Sequence, residues 1–169
     1  MGSEKSSALG TDRLFRLRHD SICAIIIAMR VVLDTNVFVS AVLSADGTAR
    51  QVLRQALRGE IVPLFGNALF AEYEDVLGRE KLFEPSPIGP DQREALLDAI
   101  LSVAVWVRVY YLWRPNLPDE ADNHLIELAV AGGASAIITG NTRDVAAGAL
   151  RFDGLSVLTP ARFLKEKRS

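Results

Sequence analysis

The chain has 169 residues, 49% of them hydrophobic and 24% charged, with a formal net charge of −2. That describes one ordinary globular domain able to bury its own core, and it excludes a protein held on nucleic acid by bulk positive charge, though not one with a local basic patch. The lone cysteine, Cys23, excludes internal disulfide staples and fits a reducing, cytoplasmic setting.

Residues 1–28 differ in character from the rest. Met1 to Thr11 is polar and rich in Gly and Ser, and Arg13, Arg16, Arg18 and His19 precede an apolar run from Ile22 to Met29. That order is faintly like a signal peptide. The run falls far short of the ~20 residues of a membrane span, and no small-residue cleavage site separates it from Arg30. The expectation is an N-terminal extension over 1–28 that lies outside the core, and one domain over 29–169 with no membrane association.

Val31, Val32 and Leu33 have the character of a buried strand, which Asp34 breaks abruptly. Thr35 and Asn36 follow, and Val37, Phe38, Ala41 and Val42 then recur at helical spacing. An acid at the carboxyl end of a buried strand is where an open α/β sheet places its chemistry. Asp is equally a common helix cap, so both roles stand open for Asp34. After a turn at Asp46-Gly47-Thr48, Val52, Leu53, Ala56 and Leu57 mark a second helix, which Gly59 stops. Ile61 to Phe65 reads as a strand, with Pro63 suggesting a sheet edge or a bulge. Ala68 to Leu77 is a third helix with its stripe at Leu69, Phe70, Tyr73, Val76 and Leu77. Glu72 and Glu74 flank that stripe on opposite sides, and Asp75 points away.

A Pro/Gly-rich loop over Pro85 to Pro90 leads to a helix over Asp91 to Leu101. Val103 to Tyr111 is dense in β-branched and aromatic residues and predicts a strand. The loop Arg114 to Pro118 delivers Asp119-Glu120-Ala121-Asp122-Asn123 to another helix start. There Asp122 shares a face with Leu125, Ile126 and Ala129, whereas His124 and Glu127 fall on the polar side. A carboxylate on an inward face is costly unless it is paired or metal-bound. Gly132-Gly133 ends that helix, and Ala136 to Thr139 is a short buried strand followed by Gly140-Asn141-Thr142-Arg143-Asp144. Leu155 to Leu158 is a last strand before a helix capped by Thr159-Pro160.

The alternation predicts an α/β fold, a mainly parallel sheet with helices on both faces. Parallel strands bring their carboxyl ends to one edge, so Asp34, Glu72, Asp122 and Asp144 are placed to converge. Crowded carboxylates repel, and a hard divalent cation, Mg²⁺ or Mn²⁺, resolves that repulsion. The sequence offers no convincing Ser-His-Asp set and no Walker-type or GxGxxG loop.

In that order, VVLDTNVFVSAVL, LFAEYEDVL, DEADNHLIELAVAGGASAIITGNTRDV and LSVLTPARFL resemble the PIN-domain family, and within it the ribonuclease toxins of bacterial and archaeal toxin–antitoxin pairs. The resemblance spans Met29 to Lys165. It implies a three-layer α/β/α sandwich and a metal-dependent endoribonuclease, a hydrolase that uses Mg²⁺ or Mn²⁺ to cut single-stranded or loop RNA. It further implies a homodimer and a cognate antitoxin that occludes the acidic pocket. Carried over by position, the metal-binding and catalytic acids are Asp34, Glu72 (which the helical wheel does not separate from Glu74), Asp122 and Asp144. Thr35, Asn36, Asp119, Thr139 and Asn141 are accessory polar groups. Part of the family has Asp where this chain has Asn141, which leaves the fourth acidic role to Asp144. Arg143 is the nearest candidate to hold the RNA backbone. Arg162, Lys165, Lys167 and Arg168 read as a solvated helical face. The alternative is a non-catalytic PIN-fold module that binds RNA or protein. One further expectation concerns stability: relief of carboxylate repulsion should leave it unchanged or higher without metal when Asp34 or Asp122 is replaced by its amide.

Overall fold

A computed structural model describes residues 28–110, 123–142 and 153–167. The elements are β1 (Met29–Leu33), α1 (Thr35–Leu43), α2 (Thr48–Leu57), β2 (Ile61–Phe65), α3 (Asn67–Leu77), a 3₁₀ turn (Glu80–Phe83), α4 (Pro90–Ser102), β3 (Val105–Trp106), α5 (Asn123–Gly132), β4 (Ala136–Ile138), β5 (Ser156–Leu158) and α6 (Pro160–Glu166). The five strands form one all-parallel sheet in the order β3-β2-β1-β4-β5. With the six helices of the described residues this is the expected three-layer α/β/α sandwich. Among the described residues no helix is long and apolar enough to cross a membrane.

The strand order fixes where chemistry belongs. From β1 the chain steps outward to β2 and β3, then returns to lay β4 on the other side of β1. The order therefore reverses between β1 and β4, and the crevice outside the carboxyl ends of those two strands is the switch point of the sheet. Val31, Val32 and Leu33 are fully buried, as are Ile137 and Ile138. Covered on both faces, these central strands read as short continuous apolar runs rather than as alternation.

Two strand expectations need correction. Pro63 lies in a strand with neighbours on both sides, not at an edge or a bulge. It is tolerated because β3 pairs with β2 only at Leu64 and Phe65, so the missing N–H breaks no rung on that side. β3 itself is two residues long, rather than spanning Val103 to Tyr111. Val103 caps α4, and one further bond, Val107 N–H to the Phe65 carbonyl at 2.7 Å, ends the pairing. The composition of this stretch suits a pleated, half-buried surface, but β2 offers it a partner only briefly.

α5 lies against β1, β2 and β4, and α2 packs between α1 and α6. Gly132, at the end of α5, sits so close to the sheet that a Cβ there would collide with the buried Leu64 side chain and stand 3.0 Å from Val107 Cγ2. Gly133 then takes φ +63°, the left-handed turn that closes a helix and that favours glycine. Arg93 is buried with its guanidinium 4.4 Å from the centre of the Phe83 ring, which ties α4 to the 3₁₀ turn.

Candidate active site

Asp34 emerges where β1 and β4 end side by side. Leu33 is in register with Ile138, and the Asp34 N–H donates to the Ile138 carbonyl at 3.0 Å. Its side chain is 6% exposed and accepts from donors on both strand ends. Oδ2 takes the Thr139 hydroxyl at 2.6 Å and Asn36 Nδ2 at 2.7 Å. Oδ1 takes the Asn36 N–H at 3.3 Å, with the Thr35 hydroxyl at 3.2 Å. Asp34 is thus the cap of α1, and the capping bond is one of several. Asn36 closes the arrangement: its amide oxygen accepts from the Gly140 N–H at 2.8 Å, across the gap between the two strand ends. Thr139, fully buried, accepts in turn from the Asn141 N–H at 2.9 Å.

Glu72 reaches this group from α3. Its Oε1 accepts from the Thr35 hydroxyl at 2.6 Å. That hydroxyl carries one hydrogen, so the shorter contact takes it, and Thr35 stands between the two carboxylates. Glu72 Oε2 lies 2.9 Å from Nε2 of His124 on α5. The His124 imidazole is the main reason that the Glu72 carboxyl titrates below its ordinary value. Partial burial opposes it, while the Thr35 hydroxyl, the charge on His124 and Arg79 reinforce it. The neighbouring Tyr73 is buried, its ring between Phe38 and Phe65 at centroid distances of 5.3 and 5.1 Å. Its hydroxyl donates to the Leu33 carbonyl at 3.0 Å and so pins the residue that precedes Asp34. Burial, then the charges of Asp34 and Glu72, push that phenol well above its ordinary value.

The structure therefore brings together Asp34, Thr35, Asn36, Glu72, Thr139 and Asn141, the last through its backbone. Of the α3 acids, Glu72 meets this group, whereas Glu74 and Asp75 are exposed. Asp119, Asp122, Arg143 and Asp144 lie outside the described residues. His124 is the participant that sequence reasoning passed over. The wheel assigned it to the polar side of α5, and that side is the one turned toward Glu72. Arg162 pairs with Glu166 at 2.9 Å on the exposed side of α6, Lys167, beyond the helix, reaches the Glu60 carbonyl at 3.1 Å, and Arg168 lies outside the described residues.

Among the described residues no three His, Cys, Asp or Glu side chains gather as a metal cage. The donor set present still suits a hard cation. Mg²⁺ usually binds through one or two carboxylates and keeps several waters, and Asp34 and Glu72 supply two. Oδ2 of Asp34 is occupied by two short bonds, whereas Oδ1 holds only long ones and retains accepting capacity. Residues 30–143 match the PIN-domain family. No curated protein matches the chain.

Proposed function

The chain belongs to the PIN-domain family, whose members are generally nucleases, and on that premise we propose that it is a Mg²⁺- or Mn²⁺-dependent endoribonuclease, the toxin of a toxin–antitoxin pair. The observation that carries the proposal is a buried acid at the switch point of a parallel sheet, joined through one hydroxyl to a second acid from a helix. A helix cap alone explains the first acid and leaves the second without a reason to be there. In this reading Asp34 and Glu72 hold the cation together with Asp122 and Asp144. A bound divalent ion lowers the pKa of a water and offsets charge on a transferring phosphoryl group. Thr139 and Asn36 keep Oδ2 of Asp34 occupied and so fix which oxygen faces the pocket. Arg143 holds the RNA backbone, a homodimer is the working form, and an antitoxin segment covers the acids.

The test is cleavage of a structured RNA with Mg²⁺ or Mn²⁺, with chelator as the blank. Asp34→Asn and Asp122→Asn should lose cation affinity and cleavage together, and Glu74→Gln, exposed on the other flank of α3, should match the wild type. Metal-dependent cleavage undiminished in both amide variants overturns the assignment. RNA binding with no metal-dependent cleavage in the wild type supports the non-catalytic module instead.

A further inference from the structure

A groove of about 620 Å³ runs beside the candidate site, from the amino end of α3 to the stretch after β3. Asn67, His124 and Glu127 line it together with Trp106, Arg108 and Tyr110. His124 is the residue that touches Glu72, so the groove and the acidic site share a wall. Seven large hydrophobic side chains are exposed among the described residues, and three of them, Trp106, Val109 and Tyr110, fall within this one short stretch. Such clustering marks an interaction surface, whereas scattered exposure needs no explanation. Trp106 is 49% exposed and Tyr110 78%. The Trp106 ring is braced by Phe70, edge to face at 5.8 Å, which holds it in place.

We infer that this groove binds single-stranded RNA, its bases stacked on Trp106 and Tyr110 and a phosphate held at Arg108, and so leads the strand to the acids. The inference deepens the ribonuclease reading and rests on it. The chemistry of the lining selects the occupant. With a net charge of −2 the chain gains little from counterion release. Affinity for RNA must then come from aromatic faces, on which any unpaired base can stack. A duplex hides its base faces, so the same wall disfavours it. Arg108, between the two rings in sequence, supplies the one always-charged cation among the described residues of the groove lining, and Glu127 on α5 limits how much bulk charge can contribute.

The experiment titrates oligoadenylate into the full chain in chelator, so that binding is read without cleavage. The sequence holds only two tryptophans, Trp106 and Trp113, and a Trp113→Phe background makes the fluorescence that of Trp106. The single strand should quench it, and the same strand annealed to oligouridylate should not. By anisotropy of labelled RNA, Trp106→Ala and Tyr110→Ala should each weaken binding about tenfold. Arg108→Gln should lower the slope of log affinity against log salt by about one. Unchanged affinity in both alanine variants overturns the inference. So does a change of oligomeric state by light scattering in Trp106→Ala with RNA affinity intact, which makes the groove an interface between copies. The two readings fail separately. Quenching without metal-dependent cleavage sinks the ribonuclease and leaves the groove, whereas cleavage with unaltered KM in Trp106→Ala does the reverse.

Discussion

Replacing Asp34 tests whether its carboxylate is crowded by like charge or satisfied by donors. Repulsion among acids predicts that Asp34→Asn holds or gains stability without metal. The bonding predicts a loss. Asp34 accepts from Thr139 and from Asn36 twice, with the Thr35 hydroxyl, whose hydrogen goes to Glu72, beside Oδ1 at 3.2 Å. An asparagine keeps one accepting oxygen and turns an NH₂ toward the other donors. Its least costly orientation leaves the oxygen on Thr139 and the Asn36 amide and points the NH₂ at Thr35, whose hydroxyl is already committed to Glu72 and is able to accept. The Asn36 N–H then loses its partner, at about 1.5 kcal/mol. Asp34→Ala removes the acceptor of the buried Thr139 hydroxyl and of both Asn36 donors, leaving Asn36 Nδ2 only its 3.2 Å bond to the Thr139 hydroxyl, at about 3 kcal/mol. For a domain of this size the melting temperature falls by about 3–6 °C in the asparagine variant, and by about twice that in the alanine variant. The assay is thermal unfolding at neutral pH in chelator. An Asp34→Asn melting point at or above that of the wild type refutes the donor argument and restores the repulsion one.

Two further outcomes follow from the neighbours of Asp34. The Glu72 carboxyl is held below its ordinary value of 4.5, so its contribution is complete above that pH and is lost as pH falls through the lowered value. Glu72→Gln should therefore flatten the acid limb of stability in urea titrations, and Glu74→Gln should not. Tyr73 lies on the opposite side of the scale, with its phenol raised above 10.0. Its contribution is complete below pH 10 and is lost as pH climbs toward the raised value, because the unfolded chain ionises first. Tyr73→Phe should cost about 1 kcal/mol at neutral pH for the bond to Leu33, and above pH 10 its stability should fall less steeply than that of the wild type.

What the sequence revealed and what it concealed have the same physical origin. Strands covered on both faces leave short apolar runs, so Val31 to Leu33 and Ala136 to Ile138 were legible, and so was Asp34 as the residue that interrupts the first of them. Pairing length was not legible. Val103 to Tyr111 has strand composition throughout, yet among the described residues the pairing with β2 covers Val105 and Trp106 and ends at one bond from Val107. The tolerance of Pro63 inside the sheet depends on where β3 begins, a tertiary fact that no local pattern carries. A helical wheel sorts side chains into inward and outward only. It therefore set Glu72 level with Glu74 and dismissed His124, whose outward side faces another helix. The resemblance points to Glu72 by position and is silent on His124. Asp122 and Asp144, with Asp119 and Arg143, lie outside the described residues.

Capping and catalysis compete as explanations of Asp34 only while the residue is viewed along the sequence. A cap needs a side-chain oxygen turned back onto the first turn of α1, and Oδ1 of Asp34 makes that turn toward the Asn36 N–H. The same turn sets the carboxylate at the positive end of the helix dipole, where negative charge is favoured. Asn36, the residue being capped, then uses its own amide twice: Nδ2 toward Oδ2 of Asp34, and Oδ1 toward the Gly140 N–H. Asp34 and Asn36 together therefore begin a helix, lock the ends of β1 and β4 together, and leave Oδ1 as the oxygen of Asp34 with room for another partner. Thr35 lies between these two residues and turns its hydroxyl to Glu72, so the run Asp-Thr-Asn supplies a cap, a bridge and a clasp from three consecutive positions. A lone helix cap needs only the first of the three. The other two account for the presence of threonine and asparagine behind the acid, and they explain why Asp34→Asn, a neutral exchange for a cap, should be a costly one here.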